Sequence, residues 1–162
     1  MGAMRVYIDA SVFGGYHDEE FRKDTRAFFD ALLAGQATAL VSDTLVGELA
    51  DAPKRVQDLL ERVLSSDCER LGLPEAAEEL RDAYLTAGVL TPKWADDALH
   101  VAHATIARAD VIVSWNFRHM VNPSRIRAFN GVNAAQGYGP VVIMTPKDVA
   151  KGWKEETDER ED

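Results

Sequence analysis

Short apolar runs alternate along this chain with longer stretches in which apolar residues recur every three or four positions. Residues 5–9 form one such run, closing on the acid Asp9, and read as a buried strand. Residues 39–42, 111–114 and 141–144 read the same way. Between them, residues 20–34 place apolar side chains at 21, 28, 29, 32 and 33, one face of a helix, and Gly35 supplies its stop. Residues 44–50 read as helical. Pro53 and Pro74 each open a helix, the first with Val56, Leu59, Leu60, Val63 and Leu64 in one stripe, the second with Ala76, Ala77, Leu80 and Tyr84. Thr91-Pro92 opens another, with Pro92 in the first turn and Ala95, Leu99, Ala102 and Ile106 on its apolar face. Strands separated by helices predict βαβ units, hence an α/β fold with a central parallel sheet of about four strands.

The 162 residues suit one domain. The pattern stops near residue 151, so residues 1–151 are the expected domain. Residues 152–162 carry six acids against two bases and no apolar pattern, an expected acidic, disordered tail. No apolar run reaches the ~20 residues that cross a bilayer. The N-terminus lacks the pattern of a signal peptide. The single cysteine, Cys68, rules out an internal disulfide and a cysteine-rich metal site. Together these point to the cytoplasm. The net charge of −9 argues against a general nucleic-acid binder, but residues 111–147 contain no acid and hold Arg118, Arg125, Arg127 and Lys147, a local footprint for phosphate or an ordinary cationic surface.

In an open parallel sheet, ligands bind at the carboxyl ends of the strands. The first strand ends in Asp9-Ala10-Ser11. The second ends in Ser42-Asp43, with Glu48 in the helix that follows. The third ends in Ser114-Trp115-Asn116, and Asp97 lies near the start of the helix that feeds it. Singly, each has a plain structural reading as a cap, turn residue or solvated acid. Jointly they put carboxylates at one sheet edge, where they repel one another unless a cation offsets them. Oxygen ligands favour Mg²⁺ or Mn²⁺ over Zn²⁺, and such sites commonly serve phosphate chemistry. A rival constellation is Asp96, His100 and His103, spaced i, i+4, i+7 on one helix face. It could hold zinc or iron given partners from another helix, or the two histidines could serve a subunit contact.

Taken in order, these motifs resemble the PIN-domain family, the fold of the VapC-like toxin ribonucleases. The matching segments are Arg5-Val-Tyr-Ile-Asp9-Ala-Ser11, Ser42 with Glu48, Asp97-Ala-Leu-His-Val-Ala-His-Ala104, Val111-Ile-Val-Ser114-Trp-Asn116-Phe117 and Val142-Ile-Met-Thr-Pro146. The resemblance spans roughly residues 5–149 and implies a three-layer α/β/α domain. It makes Asp9, Glu48 and Asp97 the acidic metal ligands and gives Ser11 and Ser114 a supporting role. Asn116 is a departure, since the family often has Asp there; its carbonyl oxygen can still ligate, but without charge.

The expected function is therefore Mg²⁺- or Mn²⁺-dependent hydrolysis of RNA phosphodiesters. Asp9 and Asp97 would hold the metal, Glu48 would bind it or orient water, and Arg118 would contact phosphate. The resemblance further implies a homodimer and, for the toxins, a small antitoxin protein. Two rivals stand beside this reading. One is a catalytically weak PIN-fold module that binds RNA or a protein, favoured by Asn116. The other is an α/β metal phosphohydrolase acting on small phosphates.

Overall fold

A computed structural model of the chain describes residues 3–161. Met1, Gly2 and Asp162, the outer ends of the expected domain and tail, lie outside the described residues. The strands are β1 (Met4–Ile8), β2 (Ala37–Ser42), β3 (Cys68–Leu71), β4 (Val111–Val113) and β5 (Ile143–Met144). All pair in parallel in the order β3-β2-β1-β4-β5. The expected parallel sheet is thus present, with five strands where about four were expected. The added strand, β3, reads Cys-Glu-Arg-Leu and is partly exposed along its length. It pairs on one side only, so no buried run marks it in the sequence.

The helices are α1 (Ala10–Gly15), α2 (Arg22–Ala31), α3 (Asp43–Leu49), α4 (Lys54–Leu64), α5 (Glu75–Thr86), α6 (Ala95–Ile106), α7 (Pro123–Ala135) and α8 (Pro146–Glu161). A π-helical turn, Leu32–Gln36, ends α2, and Gly35 sits in it at φ 96°, a left-handed conformation open to glycine. Pro92–Trp94 form a 3-10 turn leading into α6. Asn122 caps α7 by accepting from the Arg125 amide, and Pro123 takes the first turn. Where the sequence offered an acidic tail from residue 152, the structure has the second half of α8. Trp153 is buried there and stacks on Phe28 at 5.6 Å between ring centroids.

Strand alternation builds the three layers. Val6, Ile8, Ala39, Val41, Val111 and Val113 point to one face and meet α1, α2, α4 and α8. Tyr7, Leu40 and Ile112 point to the other and meet α5, α6 and α7. The chain leaves β1 for β2 on one side and later returns to β4 on the other, so the direction of winding reverses at β1. In sheets of this kind ligands bind beyond the carboxyl ends of the strands where the winding reverses, here β1 and β4. Among the described residues, no helix is long and apolar enough to cross a membrane.

Candidate functional site

The register pairs Ile8 with Val113, which sets Asp9 beside Ser114. Asp9 is nearly buried, at 4% exposure. Its Oδ2 accepts from Ser11 Oγ at 2.7 Å and from Ser114 Oγ at 2.9 Å. Both hydroxyls are themselves held by the loop that follows β4: Trp115 N–H donates to Ser11 Oγ and Asn116 N–H to Ser114 Oγ, each at 2.9 Å. Trp115 is fixed in turn by Thr25, whose hydroxyl accepts from the indole N–H at 2.8 Å. Gly15 permits this approach, since a Cβ there would lie 2.8 Å from Trp115 Cδ1.

Glu48 lies on α3, which starts where β2 ends. Ser42 caps that helix, accepting from Leu45 N–H at 3.1 Å. A carboxylate can only accept, so His100 Nε2–H donates to Glu48 Oε1, at 2.8 Å. The other ring nitrogen, Nδ1, is 2.6 Å from the Tyr7 hydroxyl, which is 2.8 Å from Ser42 Oγ. A continuous line of hydrogen bonds thus runs from the cap of α3 through the sheet to the carboxylate on the same helix. Burial pulls the His100 pKa down, but the bond to Glu48 and the charges of Asp9, Glu48 and Asp97 outweigh it and hold the ring above the usual histidine value. All three acids therefore act on one buried imidazole. Burial drives the Tyr7 phenol far above its ordinary value and keeps it neutral.

Asp97 lies in the first turn of α6. Its Oδ2 accepts from His119 Nδ1–H at 2.8 Å and from the Asn116 side-chain amide at 3.2 Å. Asn116 Oδ1 meanwhile accepts from the His119 backbone N–H at 2.9 Å. Asn116 thus does reach Asp97 through its amide nitrogen, while its carbonyl oxygen closes the turn. Arg118, next in the loop, is exposed and lies over the Trp94 ring.

Among the described residues, no group of three or more His, Cys, Asp and Glu side chains is gathered as a ready metal site. The expected acids are instead tethered through one oxygen each: Oδ2 of Asp9, Oε1 of Glu48 and Oδ2 of Asp97. Their second oxygens meet no protein donor among the described residues. Neither are they buried orphans, because the one buried side-chain atom there without a partner is His17 Nε2. The donors thus fit a hard divalent cation in kind, though not as a closed cage. The Asp96-His100-His103 constellation does not assemble. His100 and His103 are both buried and bonded within the chain, His103 Nε2 to Thr44 Oγ1 at 2.8 Å, so neither is offered to a subunit contact.

His100 and His119 are the residues sequence reasoning did not assign to the site. His100 follows Asp97 by three positions on one helix, and His119 follows Asn116 by three in a turn. Those spacings were legible, but the partners across the fold were not.

The profile of the PIN domain matches residues 5–118. The chain belongs to the PIN-domain family. The match takes in Asp9, Glu48, Asp97 and Asn116 and ends on Arg118. Known structures repeat the PIN fold at low identity. VapBC2 from Rickettsia felis, bound to a DNA fragment from its promoter, superposes with a TM-score of 0.57 at 18% identity, over 88% of this chain and 98% of that one. FitAcB from Neisseria gonorrhoeae gives 0.52 at 15% identity, over 87% and 97%. FitAB bound to an IR36 DNA fragment gives 0.53 at 16% identity, over 88% and 95%. No curated protein sequence matches this PIN domain.

Proposed function

We propose that this PIN domain is a Mg²⁺- or Mn²⁺-dependent endoribonuclease. The observation that carries the reading is the arrangement of Asp9, Glu48 and Asp97: each is tethered through one oxygen, Asp9 to the loop after β4 by Ser114, Glu48 to α6 by His100, and Asp97 to the same loop by Asn116 and His119. PIN domains are generally nucleases that use divalent metals, and the donor set here is of the right kind. Asp9, Glu48 and Asp97 would hold the cation. A cation bound there would lower the pKa of coordinated water and offset charge on the phosphate. The protein's own part is orientation. Ser11 and Ser114 fix Asp9, His100 fixes Glu48, and His119 with Asn116 fixes Asp97. Arg118 is the candidate phosphate contact.

The same reading makes the chain one half of a toxin–antitoxin pair in the cytoplasm, working as a homodimer with a small protein partner. Support comes from the family resemblance and from the VapBC2 and FitAcB assemblies that share the fold.

Asp9→Asn tests the reading. It nearly keeps side-chain volume, so packing is preserved, but it removes the most enclosed carboxylate. The expected outcome is cleavage of single-stranded RNA by the wild-type chain only with Mg²⁺ or Mn²⁺. Cleavage should disappear in EDTA and in Asp9→Asn, with both proteins giving cooperative melts. Cleavage surviving both treatments would refute a metal-dependent mechanism. A second reading, a PIN-fold binding module, is favoured by the Asn116 geometry, which supplies Asp97 with an amide and not a fourth carboxylate. RNA binding without cleavage by the wild-type chain would select it.

A further inference from the structure

Aromatic and cationic side chains flank the carboxylates without holding them. The loop after β4 carries Phe117 and Arg118 immediately after Asn116. Phe117 is 52% exposed. Behind it, Phe21 stacks on Trp115 with ring centroids 4.5 Å apart, and Phe117 stands 6.5 Å from Phe21 and 6.1 Å from Trp115. The ring thus leans on two others and stays exposed to solvent. Across Asn116, Trp94 packs against His119 at 4.5 Å, and His119 is the partner of Asp97. Trp94 also carries two cations over its ring, Lys93 Nζ at 5.1 Å and Arg118 Cζ at 5.5 Å from the centroid. Neither cation joins a salt bridge among the described residues.

We propose that this cluster is a nucleotide-binding flank of the cleft: Phe117 stacks an unpaired base, and Lys93 and Arg118, carried by Trp94, take the phosphates beside it. The proposal rests on the ribonuclease reading and names the side chains that would hold its single strand. Both faces of a base inside a duplex are already stacked, so a protruding phenyl ring reaches only an unpaired one. A chain of net charge −9 repels a polyanion except where cations lack acidic partners, and residues 111–147 contain no acid at all. An apolar protein partner would use the ring but has no need of the two cations.

The test uses the Asp9→Asn protein, so that RNA is bound and not consumed, and a short labelled RNA followed by fluorescence anisotropy in Mg²⁺. The single strand should bind about ten-fold tighter than the same strand annealed to its complement. Phe117→Leu keeps apolar bulk and loses the π face; it should weaken single-strand binding about ten-fold, and Phe117→Tyr should restore it. Arg118→Gln should lower the slope of log affinity against log salt by about one. Equal affinity for both forms, no binding to either, or a Phe117→Leu variant that binds like its parent would overturn the proposal. If Phe117→Leu changed only the sedimentation of the protein, the ring would belong to a protein contact instead. Cleavage by the wild-type chain that ignores Phe117 would leave the nuclease standing without the platform. Single-strand binding that depends on Phe117, with no cleavage by the wild-type chain, would leave the platform standing without the nuclease.

Discussion

The two faces of the sheet are built from different chemistry. On the face toward α2 and α8, the strands meet Phe28, Phe29, Leu32 and Trp153; the buried polar exception, Thr25, is matched to the Trp115 indole. On the face toward α6, the same strands meet His100, His103 and Thr105, all under 10% exposed, and Tyr7 sends its hydroxyl among them. A buried polar atom costs free energy unless it is paired, so the second face is the harder one to build. Its line of bonds from Ser42 through Tyr7 and His100 ends on Glu48 at the cleft. A separate polar group, Tyr84 with Thr105 and Asn133, joins α5, α6 and α7 away from it. The dry face supplies stability, and the wet face turns part of that stability into orientation of a side chain.

Breaking the dry face should have the largest effect. Phe28→Ala empties a fully buried ring site and is expected to cost about 3–5 kcal/mol, read from urea denaturation. A loss no larger than that of Tyr7→Phe would erase the distinction between the faces. On the wet face, burial and the neighbouring His100 lower the His103 pKa to about 4, against 6.5 normally. The unfolded chain then binds a proton that the folded chain refuses, so stability should fall as pH drops from about 6.5 toward 4, by up to about 3 kcal/mol. His100 is shifted the other way and titrates with or without His103. On going from neutral to mildly acidic pH the urea midpoint of the wild type should therefore move further toward lower stability than that of His103→Gln; identical shifts would mean that His103 is not held neutral. The smallest effect sharpens the comparison. Tyr7→Phe keeps the ring and removes only the hydroxyl between Ser42 and His100. Its expected cost is about 1–2 kcal/mol, with reduced RNA cleavage if Glu48 loses its orientation. Unchanged stability and unchanged cleavage would mean that the line of bonds does not act as one.

The sequence exposes the parts of this protein whose signal is local. β1, β2 and β4 are apolar runs, and α4 carries one apolar stripe, so both were legible. α7 was not, because it buries only Phe129 and Asn133 and so shows little amphipathic contrast. α1 is one short helix tucked behind Asp9 and has no room for a period. At the site, Asp9 and Glu48 were readable as candidates from their places after β1 and β2, and Asp97 from its place at the start of the helix that feeds β4. Their tethers were not: the Glu48–His100 and Asp97–His119 pairs join residues 52 and 22 positions apart, and only the packed fold shows who faces whom. Asn116 was legible as a member of the cleft, but the direction of its amide was not.

The place of β1 at the middle of the sheet also dictates when the cleft can exist. Asp9 meets its first serine two residues along the chain and its second 105 residues along. A nascent chain that has emerged only as far as α5 carries Asp9 and Glu48 but neither Asp97 nor Ser114, and its first strand still lacks a neighbour on one side. Synthesis thus withholds the cleft until β4 has docked. On the proposed ribonuclease reading, translation order is itself a safeguard, because most of this polypeptide has been made before its cleft can form.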